Sequence, residues 1–445
     1  MDGHNMPQII YNFPKGFLWG TATAAHQVEG GNTNNNWYTW EQEGRIINNQ
    51  KSGLACDWWN GRWKEDLDRA AETGQNAHRL SVEWSRIQPA QDHWDEGALD
   101  HYRSILRGLV ERNLTPMVTL HHFSDPIWLV EKHAWENDET PKLFAAFVRK
   151  VVEALKEYVS LWVVINEPNV YTNGGYIEGS FPPGKHDNRS AFKVMLNLVR
   201  GHAAAYKIIH EIQPEARVGT CTHYRSFTPA RAWNPLDNFI VGQLHATFND
   251  SFARAALTGK FNFLGKSVNV PEAQKTQDFV GVNYYSQDIV QFTLNPGAFF
   301  HKRFYPAEAE LSTTGFIANI PTGMFSALKW ASKFNLPIIV TENGIEDADD
   351  HLRPQYILEH IHQVWRGLNF NWPVKGYFHW SLVDNFEWER GWSQRFGLWG
   401  LNVETQARIR RKSVDLYEAI CKANAITSDM VEKYAPAAYE HLFPR

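Results

Sequence analysis

Short apolar runs rich in β-branched and aromatic residues recur along the chain, separated by longer stretches in which apolar residues return every three or four positions. Eight runs read as buried strands: FLWGTAT (17–23), AHRLSVEW (77–84), TPMVTLHHF (115–123), LWVVINEP (161–168), ARVGTCTHY (216–224), DFVGVNYY (278–285), PIIVTENG (337–344) and VKGYFHWSL (374–382). Between them WKEDLDRAAETG, LDHYRSILRGLVERN, PKLFAAFVRKVVEALKEY, KVMLNLVRGHAAAYKIIHEI and LRPQYILEHIHQVWRGL carry the helical period, with Asp, Asn or Pro near their starts and Gly, Asn or Pro near their ends. Strand and helix alternate throughout, with no linker rich in charge, serine or glycine. The pattern predicts an α/β fold, a single (β/α)8 TIM barrel over 1–445, with long βα loops after strands one, four, five, six and eight. An open doubly wound sheet is disfavoured, because the first strand runs into the polar stretch NNNWYTWEQEGR and not into GxGxxG.

Composition narrows the partners. At 445 residues, 43% of them hydrophobic and 21% charged, the chain can bury a large core. A formal charge of −5 with no basic block gives no reason to expect a nucleic acid or an anionic membrane as partner. The N-terminal MDGHNMPQIIYNFPKGF lacks a basic segment followed by an apolar one, and no run of about 18 apolar residues occurs, which reads as a cytoplasmic protein. Cys56, Cys221 and Cys421 form no CxxC pair and suggest neither a disulfide framework nor a thiolate metal site. The 19 tryptophans are out of proportion. Most must be core, but flat rings also suit the apolar face of a sugar.

In such a barrel the site is built from the C-terminal ends of the strands. Those ends carry Gln27 and Glu29, Arg79, His121 and His122, Asn166 and Glu167, Asn283 to Tyr285, Glu342 and Asn343, and Trp380 onward to Glu387 and Trp388. VINEP and VTENG each place one glutamate after a buried strand, three positions apart around the ring. A carboxylate pair of this kind, one protonated and one ionised, is what cleavage of a glycosidic bond requires. Alone, a glutamate before proline reads as a solvated loop acid; what changes the odds is that TENG, NYY and WSLVDNFEW follow in barrel order. His121 and His122 lack the i+4 partner, the HExxH pattern or the nearby cysteine of a metal site, so no metal is expected. On an alternating strand one of the two faces inward and the other outward. Arg79 on a buried strand serves as a structural ion pair, as a partner for an active carboxylate, or as both.

The chain resembles glycoside hydrolase family 1, the β-glucosidase and β-glycosidase family, through HQVEG, HRLSVEWSRIQP, TLHHF, INEP, DFVGVNYY, VTENG and WSLVDNFEWERGWSQRFG, in that order. The likeness runs from 17 to 413, leaving 414–445 as a C-terminal helix and tail. It implies a retaining, exo-acting β-glycosidase, with Glu342 as nucleophile and Glu167 as acid/base catalyst. Arg79, Asn283 and Tyr285 match residues that support the nucleophile, and Gln27, His122, Asn166, Trp380, Glu387 and Trp388 match the sugar subsite. The substrate implied is a small β-glycoside or oligosaccharide, most simply a β-glucoside, with β-galactoside or β-fucoside also fitting a bridging Glu387. No cofactor is needed. A transglycosidase with the same pair, or an inactive sugar-binding homologue, are the alternatives.

Two expectations concern finer detail. Arginine and tyrosine beside Glu342 should lower its pKa, while the like charge of Glu342 helps keep Glu167 protonated; retention would set the two carboxyls about 5–5.5 Å apart. Asn169 stands where family members often carry tryptophan, and Phe316 where many have GW. Both positions usually wall the aglycone site, so the change points to a wetter or wider entrance.

Overall fold

The computed structural model describes residues 8–444; the first seven residues of the N-terminal stretch read above lie outside them. The eight predicted strands are all present: β1 Leu18–Ala22, β2 Ala77–Ser81, β3 Thr115–His121, β4 Leu161–Asn166, β5 Arg217–His223, β6 Phe279–Asn283, β7 Ile338–Asn343 and β8 Val374–Trp380. They close into a parallel barrel in chain order, β8 pairing with β1. Closure buries the strands on both faces, which is why they read as continuous apolar runs without alternation.

Eight helices complete the units: α1 Trp63–Glu72, α2 Glu96–Glu111, α3 Thr140–Leu155, α4 Asn188–Ile212, α5 Ser251–Thr258, α6 Pro321–Ser332, α7 Arg353–Asn369 and α8 Lys412–Ala423. In α2 the local logic is complete: Asp95 accepts from the Ala98 amide as N-cap, and Leu99, Tyr102, Leu106 and Leu109 form one buried stripe. Glycine is used in the staves where the barrel is crowded. A Cβ on Gly281 would lie 2.6 Å from the Thr220 carbonyl oxygen of the adjacent strand.

The pairing slips at the mouth. Register breaks between Val163 and Asn166 where β4 meets β5, between Val282 and Asn283 where β6 meets β7, and between Val340 and Asn343 where β7 meets β8. An extra residue in one strand re-aims the side chains beyond it. These slips fall where the polar strand ends begin.

The long loops carry structure of their own. After β5 and β6, strands Ser226–Pro229, Gln287–Phe292 and His301–Phe304 form a small sheet, flanked by a helix Pro235–Leu244 and a π-helical turn His245–Asp250. The C-terminal stretch is not a tail. Ala425–Thr427 pairs antiparallel with Ile10–Asn12, the Tyr11 hydroxyl donates to the Leu442 carbonyl at 2.7 Å, and Leu442 and Phe443 are buried. The ends meet because β1 and β8 are neighbours in a closed barrel. Among the described residues no helix is long and apolar enough to cross a membrane.

Candidate active site

A cavity of about 390 Å³ opens at the C-terminal ends of the strands, and among its walls stand His122, Asn166, Glu167, Glu342, Trp380 and Glu387. Glu167 follows the last residue of β4 and adopts φ 43° and ψ 60°. Left-handed backbone at a non-glycine residue before proline costs on the order of 1–3 kcal/mol, and it persists here because the neighbours fix it. Its amide donates to the Cys221 carbonyl on β5 at 2.7 Å, and Pro168 starts the short helix Pro168–Tyr176 behind it.

The two glutamates are seated differently. Both oxygens of Glu342 are engaged: Arg79 Nη1 donates to Oε1 at 2.5 Å, and the Tyr285 hydroxyl donates to Oε2 at 2.6 Å. Glu167 is held through Oε1 alone, by Asn283 Nδ2 at 2.8 Å and against His223 Nδ1 at 3.2 Å. Arg79 also donates to Asn166 Oδ1 at 2.6 Å and to Thr119 Oγ1 at 3.1 Å, so one fully buried guanidinium ties β2, β3, β4 and β7 together. Removing either partner from so buried an ion pair would leave an uncompensated charge.

Asn283 was matched to the support of Glu342, yet its amide serves Glu167 and Asn166, while its Oδ1 accepts from Thr341 Oγ1 at 2.6 Å. The register slip between Val282 and Asn283 turns the side chain that way. The pKa expectation for Glu342 is also corrected. Burial outweighs Arg79 and Tyr285, and together with the Glu167 charge it pushes Glu342 up to about 7 in the empty cavity.

The sugar-side candidates gather around one wall. The Asn166 amide donates to His122 Nε2 at 3.0 Å, which places the ring proton on Nδ1, and that nitrogen has no partner among the described residues. Burial and Arg79 keep His122 neutral. His121 turns the other way, its Nε2 3.0 Å from Asp125, which also accepts from Trp135 and Tyr171. Gln27 Nε2 donates to Asn385 Oδ1, to the Phe386 carbonyl and to Glu387 Oε2, while Gln27 Oε1 and Asn385 Nδ2 stay unpaired. Trp388 stacks on His122 at 5.8 Å, and His26 stacks on the same indole at 5.8 Å. Burial, with the charges of Glu389 and Glu342, raises Glu387 to about 8. Unpaired donors and acceptors beside flat indoles are what a polyhydroxylated ring can satisfy.

The two aglycone candidates part company. Phe316 lies at the mouth, 39% exposed, with the Arg390 guanidinium 4.6 Å from its ring centre. Asn169 is buried; its Nδ2 donates to the carbonyls of His223 at 2.8 Å and Phe248 at 3.0 Å, and it lines a separate, adjoining cavity. It does not widen the entrance to the catalytic cavity. His223, which lines that cavity beside Glu167, escaped the sequence reading: THY at the end of strand five is visible there, but nothing local marks that histidine. Among the described residues no group of three His, Cys, Asp or Glu is placed to hold a metal ion.

The sequence model of glycosyl hydrolase family 1 matches residues 10–426, past both ends of the stretch whose motifs carry the resemblance. Beta-glucosidase A of Thermotoga maritima is 33% identical over 447 residues, covering 94% of this chain and 99% of that protein. A beta-glycosidase from Pyrococcus horikoshii superposes with a TM-score of 0.90 at 35% identity, covering 96% of this chain and 98% of its own. Beta-glucosidase from T. maritima in complex with glucoimidazole superposes with a TM-score of 0.88 at 32% identity, covering 94% and 100%.

Proposed function

The chain belongs to glycosyl hydrolase family 1 and is a glycoside hydrolase of β-glucosidase type, and from that premise we propose that it removes non-reducing terminal β-D-glucosyl residues by double displacement, with Glu342 as nucleophile and Glu167 as acid/base catalyst. The observation that carries the assignment is the unequal seating of the two acids. Glu342 has donors on both oxygens, which aims it and favours its ionised form; Glu167 has an Oε2 with no hydrogen bond among the described residues, free to carry a proton toward a leaving oxygen.

In the first step a Glu342 oxygen bonds to the anomeric carbon as the bond to the aglycone oxygen breaks, and that oxygen takes the proton of Glu167. Esterification removes the Glu342 charge, and with it a repulsion that favoured a protonated Glu167. Glu167, now a carboxylate, takes a proton from water as the water oxygen bonds to the anomeric carbon and the ester breaks. Arg79 and Tyr285 then receive the carboxylate again. Glu387, Gln27 and the unpaired Nδ1–H of His122 are the groups we assign to the sugar hydroxyls, with Trp380 and Trp388 as its apolar platform. Glu387 faces hydroxyls that glucose and galactose both offer, so both are accepted, with glucose preferred.

Trapping tests this directly. A 2-deoxy-2-fluoro-β-glucoside with a good leaving group should inactivate the enzyme, and peptide mass spectrometry should find the label on Glu342. A label on any other residue overturns the assignment.

A further inference from the structure

Beside the catalytic cavity lies a second one of about 400 Å³, lined by Phe227, Leu244, Phe248, Phe263, Leu264 and Phe299. The two share Asn173, Glu178, Phe248 and Arg303 as a common wall. We propose that this trough is a leaving-group subsite for a linear apolar aglycone, the alkyl chain of an amphiphilic β-glycoside whose sugar occupies the catalytic cavity. The proposal rests on the retaining β-glycosidase reading and adds the class of aglycone.

Three observations point to a chain and not to a second sugar. The first is wall chemistry. Asn169, the polar group deepest in the trough, spends both amide hydrogens on the His223 and Phe248 carbonyls and keeps only an unpaired Oδ1. Hydroxyls placed against the phenylalanine and leucine walls would lose water without gaining partners, whereas methylenes lose nothing. The second is position. Phe248 sits edge-on to His223 at 5.9 Å, and His223 Nδ1 lies 3.2 Å from Glu167 Oε1, so a leaving oxygen protonated by Glu167 starts one ring away from the trough. The third is the rim. In the helix Pro235–Leu244 the side chain that is buried is Asp237, while Phe239 is 60% exposed, and across the trough Phe299 at the hairpin tip is 51% exposed. Apolar surface turned outward around an apolar cavity marks a binding site.

The partition between the cavities is light. Arg303 reaches Glu178 at 3.2 Å, with side chains 37% and 46% exposed, and Arg303 also approaches Asp288 at 3.6 Å. An exposed pair of this sort gives way at little cost, and Arg303 keeps Asp288 as a partner when it releases Glu178.

The test is the chain-length dependence of kcat/KM for alkyl β-glucosides from methyl to octyl, below their micelle concentrations. Full burial of a methylene corresponds to a gain of about fourfold. The expected result is a rise of about two- to fourfold per methylene beyond butyl, carried by KM, and a flatter slope in Leu264→Asn and Ile240→Gln. Leu264 has φ 48° in the turn between Lys260–Phe263 and Lys266–Asn269, a conformation that asparagine adopts more readily than leucine, so L264N removes apolar wall without straining the fold. Each slope is internal to its variant, so a general loss of activity does not imitate the effect. A flat series in the unsubstituted enzyme overturns the proposal, as does a steep series unchanged in both variants, or a preference for cello-oligosaccharides over octyl glucoside. Turnover of 4-nitrophenyl β-glucoside separates the two levels: with aryl turnover and a flat alkyl series the trough fails alone, and without aryl turnover the glycosidase reading fails and the trough with it.

Discussion

The ends of β4 and β7 present the same side chain to the same cavity, yet build opposite seats for it. At β7, Glu342 is clamped at both oxygens by a guanidinium and a phenol. At β4, Glu167 leaves one oxygen free and takes its strain in the backbone, at φ 43°. A nucleophile must hold its charge and its aim while bonding to carbon. An acid/base catalyst must exchange a proton twice and tolerate both charge states. The difference teaches that role follows from what surrounds the carboxyl and not from the residue type.

The strongest way to break the comparison is to remove each acid in turn. Glu342→Gln should abolish turnover of all β-glucosides, a loss beyond the roughly 10²- to 10⁴-fold that proton transfer contributes. Glu167→Gln should lose about that much on alkyl or sugar leaving groups and little in glycosylation by 2,4-dinitrophenyl glucoside, read as the slope of log kcat/KM against leaving-group pKa. Equal losses on good and poor leaving groups would falsify the acid role.

Tyr285→Phe sharpens the clamp. Loss of a hydrogen bond to a charged group should cost kcat/KM roughly 10- to 100-fold. The pH profile carries the sign. Glu342 must be ionised to attack and stands near 7 in the free enzyme, so kcat/KM should fall as pH drops below about 7. The tyrosine hydroxyl holds that value down, so its removal should carry the acid limb to higher pH. A limb moved downward, or not at all, contradicts the geometry.

The smallest effect concerns a third acid, Glu387. Its folded pKa of about 8 lies above the ordinary 4.5. The protonated side chain therefore contributes stability that is fully present below about pH 4.5 and is lost as pH rises toward 8. Glu387→Gln keeps the neutral form at every pH. Its melting temperature should exceed that of the unsubstituted enzyme by a margin that grows from pH 5 to pH 8; a constant margin means Glu387 is not titrating over that range.

Much of this was legible before the coordinates. The eight staves were readable because a barrel buries each strand on both faces, and such burial demands apolar runs that no neighbour need be known to recognise. The C-terminal stretch was misread as a tail because its strand, Ala425–Thr427, has only three residues and pairs with Ile10–Asn12 some 400 positions away, a contact no local pattern announces. Asn169 was visible as a departure from family usage, but not that its amide faces His223 and Phe248. His223 carried no local signal, because its importance lies in standing beside Glu167.

The sequence by itself determined the barrel, the order of its strand ends and the two glutamates delivered to one mouth, because periodicity and strand-end position are local properties of the chain. The tertiary structure decided which oxygen of each acid is engaged, that Asn283 serves Glu167, that Glu342 titrates high despite its arginine, and that an apolar trough adjoins the sugar cavity. Desolvation and hydrogen-bond direction depend on every atom within a few ångströms. Those atoms come from strands and loops hundreds of residues apart, placed by closure of the barrel and by the register slips at its rim.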